Sequence, residues 1–323
     1  MQDTSIEWAE LTWNPTRGCS RISPGCQHCY AEQIAARFSG AVETEIGLCK
    51  PGIFSGFAEF RIIGGKTEAH WTGKVELVED KLLEPLKRRK WALRFFAKHG
   101  RKPRCFVNSM SDLFHENLDS ILIDRVFAVM ALCPEIDFLC LTKRASRLPE
   151  YVNESASIRV NRQIELWMEF MNDFPRGIAF SRRLEAWPLP NCWLGVSVED
   201  RARKNRIDHL RRTPAAIRFL SIEPLLEDIG WLDLEGIHWV VVGGESGPGA
   251  RPFDLDWARS IRDQCKAAGT KYFLKQVGSR PMEHFEADLE IDTYDATLKL
   301  RDKKGGDMRE WPADLQNLRE LPR

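Results

Sequence analysis

From residue 105 onward the chain repeats one pattern: a short apolar, β-rich run, a polar end, then an amphipathic stretch. The runs are 105–110, 137–142, 192–198, 217–222, 239–242 and 271–274, and helical stretches at 118–132, 200–212 and 255–268 lie between most of them. Runs that are apolar on both faces and separated by helices predict a parallel sheet covered on both sides. A weakly alternating segment at 6–14 adds a first strand, so the chain carries about seven βα units, which suits a partial or complete parallel (β/α) barrel. A doubly wound open sheet has the same periodicity and stays an alternative. The length of 323 residues is ample for such a core.

In either architecture the reacting groups lie beyond the C-terminal strand ends, and this chain puts polar residues there repeatedly. The ends read Asn108-Ser109-Met110-Ser111-Asp112, Thr142-Lys143-Arg144, Ser197-Val198-Glu199-Asp200, Ser221-Ile222-Glu223, Gly243-Gly244-Glu245 and Lys275-Gln276. Lys143, Glu223 and Lys275 are the candidate catalytic groups. The two lysines are suited to anionic substrate groups such as phosphate, and Glu223 could face substrate or cofactor. Arg144 reads as well as a surface arginine.

The second constraint is the stretch WNPTRGCSRISPGCQHCYAE, residues 13–32, with Cys19, Cys26 and Cys29 separated by six and then two residues. Gly18, Pro24 and Gly25 predict turns. An apolar-periodic segment, 30–38, predicts a helix starting directly after the third cysteine, so the loop ends at a helix N-terminus, where negative charge is favoured. Structural zinc wants four protein ligands, whereas an iron–sulfur cube held by three thiolates leaves one iron open for chemistry. A zinc site stays open if His28, Cys49 or His70 completes the set. A zinc-stapled protein that binds nucleic acid or a partner without turnover is the corresponding alternative function. A disulfide fits poorly, because nothing else points to secretion.

Asn14-Pro15, Arg17-Gly18-Cys19, Gly25-Cys26 and Cys29-Tyr30-Ala31 together resemble the cluster loop of radical S-adenosylmethionine (SAM) enzymes. The likeness is nearest to the spore-photoproduct-lyase-like branch and to a phage-associated family of unknown function. The usual spacing has three residues between the first two cysteines, so 20–24 reads here as a loop insertion. The resemblance implies a partial barrel and a [4Fe–4S] cluster on Cys19, Cys26 and Cys29. It implies reductive cleavage of SAM to a 5′-deoxyadenosyl radical, which abstracts hydrogen from a substrate. It also implies an electron donor such as flavodoxin or ferredoxin. Similarity to the lyase branch suggests nucleic-acid, base or nucleotide chemistry. It places His28 near the adenine and Ser109, Ser111 and Asp112 against the methionine moiety. Ser197 and Glu199 fit ribose contacts. The family's second-strand Gly-Gly-Glu is missing from the strand at 105; Gly243-Gly244-Glu245 follows a late strand, where its glycines would let a cofactor approach the backbone.

The remaining features set limits. Lysine plus arginine equals aspartate plus glutamate, 47 each, so no global charge draws the protein to nucleic acid or membrane. No run is long and apolar enough for a bilayer, and MQDTSIEWAE has no leader pattern. The six cysteines outside the loop fall mostly in apolar runs, as reduced core residues do. A cytoplasmic protein is expected. Basic runs at 87–90, with Arg94 and Lys98 beyond, and at 201–206 would serve phosphate contacts, although a charged helix face is usually only solvated. Residues 40–74 read as a long glycine-rich loop. Residues 154–191, with a helix at 162–174 and a basic, aromatic run at 181–187, read as an inserted lid or docking element, to which a partner protein could bind. The barrel is expected over 1–278, and 279–323 reads as a small C-terminal extension with a hairpin and helix.

Overall fold

The computed structural model describes all residues except 5, 44–48, 171–180, 182, 287–292 and 323. The chain divides into two compact units, 1–194 with 212–216, and 195–211 with 217–323.

In the first unit, β1 (Gln2–Asp3) pairs antiparallel with β2 (Leu11–Trp13). β3 (Thr16–Arg17) then leads into the cysteine loop, which ends at α1 (Tyr30–Arg37). The segment predicted as a long loop is largely hairpin instead. β4 (Ala41–Glu43) pairs with β5 (Cys49–Pro51), and β6 (Ala58–Ile63) with β7 (Lys66–Trp71). Gly64 and Gly65 both take positive φ at the tip of the second hairpin, the backbone that a two-residue turn between twisted strands requires. Ala58, Phe60 and Ile62 share one face of β6, but Phe60, Ile62 and the following Ile63 are exposed toward the hairpin tip, so burial does not follow the alternation. Ala58, Ala69 and Trp71 pack inward with Ala31, Ala35 and Ala36 of α1.

β8 (Glu76–Leu77) pairs with β3. Residues 79–99 form α2 (Glu79–Leu82) followed by α3 (Glu84–His99). β9 (Arg104–Val107) lies parallel to β2 and to β10 (Asp137–Thr142), with α4 (Ser120–Ala131) as the crossover. Asp119 caps α4. α5 (Arg147–Tyr151) precedes α6 (Glu154–Phe170), which starts eight residues before the predicted helix at 162. Ala156, Val160 and Ile164 of α6 are buried, so the first half of the expected insertion is a packed helix. The predicted helix end at 171–174 lies outside the described residues.

β11 (Cys192–Ser197) carries the chain from one unit to the other. In the second unit come α7 (Asn205–Arg211), β12 (Ile217–Ile222), β13 (Trp239–Gly243), β14 (Phe253–Asp254), α8 (Leu255–Ala268) and β15 (Lys271–Gln276). β12, β13 and β15 are parallel neighbours. The hairpin expected in the C-terminal segment is present: β16 (Pro281–Glu286) pairs with β17 (Thr293–Thr297) and with β14. In place of the expected helix are two 3-10 turns. The final residues are not a loose appendix: Leu318 accepts the Leu274 amide, and Glu320 accepts the Trp239 indole through its carbonyl.

The fold is therefore mixed α/β with a mostly parallel eight-stranded sheet, in the order β1-β2-β9-β10-β11-β12-β13-β15. Among the described residues no strand pairing closes it into a complete barrel. No helix among them is long and apolar enough to cross a membrane.

Gly195 lies in β11 against the Phe219 ring of β12. A Cβ there would stand 2.4–2.5 Å from three ring carbons, and Phe219 is fully buried and cannot swing away. Gly195→Ala is expected to destabilise the protein by about 1–3 kcal/mol, read as a lower urea midpoint with an unchanged m-value.

Candidate functional site

The cysteine loop is fastened to the strand ends of the first unit by side chains from three directions. At its entry the Asn14 side-chain oxygen accepts from the Ser109 hydroxyl and the Met110 amide, both at 3.2 Å. The Ser111 hydroxyl lies 2.6 Å from that of Thr16 and donates to the Thr16 carbonyl. Gly18 bridges to Ser111 with a φ of 88°. A Cβ at Gly18 would meet the Lys74 carbonyl at 2.0 Å, so only glycine fits. Beyond the loop, the Tyr30 hydroxyl donates to the Ser109 carbonyl at 2.7 Å. Ser109 and Ser111, expected against a methionine moiety, are thus engaged with the loop.

The second fastening is Arg144, which is buried, not on the surface. Its guanidinium donates to the Ser20 hydroxyl at 2.7 Å and the Ser20 carbonyl at 3.1 Å. It also pairs with Asp112 at 3.2 Å and Glu116 at 2.5 Å, and approaches the Cys19 sulfur at 3.9 Å. Asp112 is fully subscribed: its other donors are the Thr142 hydroxyl and the amides of Phe114 and Lys143. His115 accepts the Asn117 amide on Nδ1, so Nε2 carries the proton and donates to the Ser20 hydroxyl at 2.9 Å. Burial holds the His115 pKa below its usual value, in keeping with a neutral ring.

The third fastening is Glu32, fully buried in α1. It pairs with Arg21 at 2.7 Å and accepts the Trp71 amide at 2.7 Å, while Arg21 also donates to the Ala69 carbonyl. The segment 20–24, read as an insertion, therefore carries two of the anchoring residues, Ser20 and Arg21.

The three thiols share one electrostatic neighbourhood. Burial, with Asp112, raises the Cys19 pKa to about 12; Cys26 and Cys29 push the same way and Arg144 opposes. Burial also raises Cys29, whereas the Glu32 and Ala31 amides and the Lys143 ammonium favour its thiolate. Cys26 is half-buried and ends a short 3-10 turn, Pro24–Cys26. Cys105, Cys133, Cys140, Cys192 and Cys265 are buried in the cores; the Cys49 side chain lies outside the described residues. His28 is exposed beside Cys29.

The second unit has its own strand-end groups. Lys275 pairs with Glu223 at 2.7 Å, both partly exposed. Gly243 makes room for that carboxylate: a Cβ there would lie 3.3 Å from it. At Gly244 the close approach is by the Val277 carbonyl, 2.6 Å from a built Cβ. Glu245 is held by Arg251 through side chain and amide. Glu199 is buried against Arg206 at 2.8 Å, and Ser197 is buried, its carbonyl accepting from the same arginine. Separately, Asp254, Asp256 and His284 place ligand atoms within 4.8 Å of one another.

Glu32, His115, Ser20 and Arg21 were not singled out as site residues from the sequence, and Arg144 was weighed only for anionic substrate groups against a surface position. Glu32 follows the last cysteine by three residues and could have been noticed; nothing in the sequence links position 20 to 144.

These features define a class: a largely parallel α/β protein presenting a three-cysteine loop at its strand ends. Residues 3–310 match the family model described as a protein of unknown function (DUF5131). The chain belongs to that family. No curated protein and no solved structure matches it.

Arg144→Met is expected to cost about 3–5 kcal/mol, because Asp112 would be left buried and unpaired. Asp112→Asn should cost less in that background than alone. A double-mutant cycle by urea denaturation checks the coupling; additive losses would show that the pair is not coupled.

Proposed function

We propose that the protein is a radical SAM enzyme in which Cys19, Cys26 and Cys29 hold a [4Fe–4S] cluster. The observation that carries this reading is the set of three thiols on one anchored loop, Cys26 and Cys29 both near enough to act on Cys19, ending at the N-terminus of α1. The donor set suits the group: three thiols, with positive charge from Arg144 and Lys143 and the α1 amides available to thiolates.

When bound, a cluster with an open iron supplies the electron that cleaves SAM, delivered by a donor such as flavodoxin or ferredoxin. The chain's own residues do the positioning. Arg144 and His115 fix Ser20, and with it Cys19. Glu32 fixes Arg21 and the first turn of α1, and with it Cys29. Asn14, Thr16 and Ser111 set where the loop leaves the sheet. In the second unit, Lys275 and Glu223 form a strand-end pair able to bind an anionic group or exchange a proton with a substrate.

Anaerobically purified and reconstituted protein is expected to be brown, with about four irons per chain and a paramagnetic resonance signal that changes when SAM is added. Cys26→Ala should abolish release of 5′-deoxyadenosine while the circular dichroism spectrum stays unchanged. Colourless, zinc-loaded protein from the same preparation would overturn the reading, as would cleavage that survives the substitution.

A further inference from the structure

Helix α3 carries a feature that the cysteine site does not use. Lys87, Lys90, Arg94 and Lys98 are spaced three, four and four residues apart, so they form one stripe along the helix. All four are exposed. None has an ion-pair or hydrogen-bond partner among the described residues. The stripe points away from the core, because Pro85, Leu86, Arg89 and Ala92 occupy the buried face.

The neighbouring acids are already taken. Glu84, the only acidic residue of the helix, binds the N-terminal amine and Lys81. Glu135 is held by Arg89, and Glu10 by Arg101 and Arg104. Asp3 faces Arg88, so among the described residues the four stripe cations have no acidic partner of their own although the chain as a whole is neutral.

Beside this stripe runs an aromatic rail at four-residue spacing. Trp91 stacks on Phe95 with centroids 5.3 Å apart, and Phe95 on His99 at 4.2 Å. Arg88 lies over Trp91 and Arg101 over Phe95, at 5.9 and 5.0 Å. Trp91 and Phe95 are half-buried and His99 is exposed. Each rail residue follows a stripe residue by one position, so the two features are adjacent round the helix. The sequence shows the basic run, but the aromatic companion appears only when residues four apart are stacked.

We infer that this face of α3 is a docking surface for single-stranded nucleic acid, its phosphates on the cationic stripe and its bases against the aromatic rail. Unpaired cations in a row match a phosphate backbone, and a half-exposed stack of rings with arginines on it is a platform for any base. A membrane surface fits less well: an interfacial helix turns its apolar face outward, whereas the apolar face of α3 is mainly buried. Leu93 and Phe96, 47 and 51 % exposed, lie off the cationic stripe. The surface is independent of any cluster.

The test is fluorescence anisotropy of a labelled 20-nucleotide oligothymidylate with the full-length protein. With four phosphate contacts, affinity should fall about 50-fold between 50 and 200 mM salt. A variant carrying Lys87→Gln, Lys90→Gln, Arg94→Gln and Lys98→Gln should bind at least tenfold more weakly and lose most of that salt dependence. Trp91→Ala should weaken binding roughly tenfold, and Trp91→Phe should restore most of it. Thermal melts verify that each variant is folded. The inference is overturned if the oligonucleotide does not bind at 50 mM salt, or if the fourfold variant binds like the parent. It is equally overturned if duplex binds as tightly and Trp91→Ala changes nothing, or if phosphatidylglycerol vesicles bind and the oligonucleotide does not. Neither iron nor SAM enters the measurement, so its failure leaves the cluster reading untouched.

Discussion

A buried guanidinium makes the central one of the three fastenings that hold the cysteine loop to the sheet. Arg144 leaves the end of β10, is neutralised by Asp112 and Glu116, and spends its remaining donors on Ser20. Asp112 in turn binds the Thr142 hydroxyl and the Lys143 amide, so the ends of two parallel strands are tied by the same carboxylate. Removing Arg144 would leave Asp112 buried without a counter-charge, and such a group costs far more than the pair contributes. The position of Cys19 therefore depends on the sheet as well as on Gly18 and Ser20 beside it in the loop.

The polar strand ends divide into two kinds. Ser109, Ser111, Asp112, Glu199 and Glu245 are occupied by the protein itself: they anchor the loop or pair with arginine. Lys143, Glu223 and Lys275 remain at least partly exposed. Engagement with the loop or with an arginine marks the first kind as architecture; a partly exposed charge leaves the second able to meet a ligand. The type of residue alone does not separate them, since serine, aspartate and glutamate serve either role.

The parallel strands were legible because burial on both faces forces unbroken apolar runs, and 137–142 and 217–222 match β10 and β12 at both ends. The β6–β7 hairpin was not, although Gly64-Gly65 stood as a turn signal, because Ile62 and Ile63 break the inside–outside alternation. Arg144 misled for another reason. An arginine after a strand is ordinarily solvated, and only the distant partners at 112, 116 and 20 make its burial affordable.

By itself the sequence determined the parallel α/β layering and the company of three cysteines before a helix, because both are local: they depend on the period of apolar residues and on neighbours along the chain. The tertiary structure alone decided which carboxylates are consumed and which charges stay exposed. It also decided that Ser20 belongs with Arg144 and that the rings of α3 flank its lysines. Those are facts of pairing in space, and a hydrogen bond between residues 20 and 144 leaves no periodic trace in the chain that forms it.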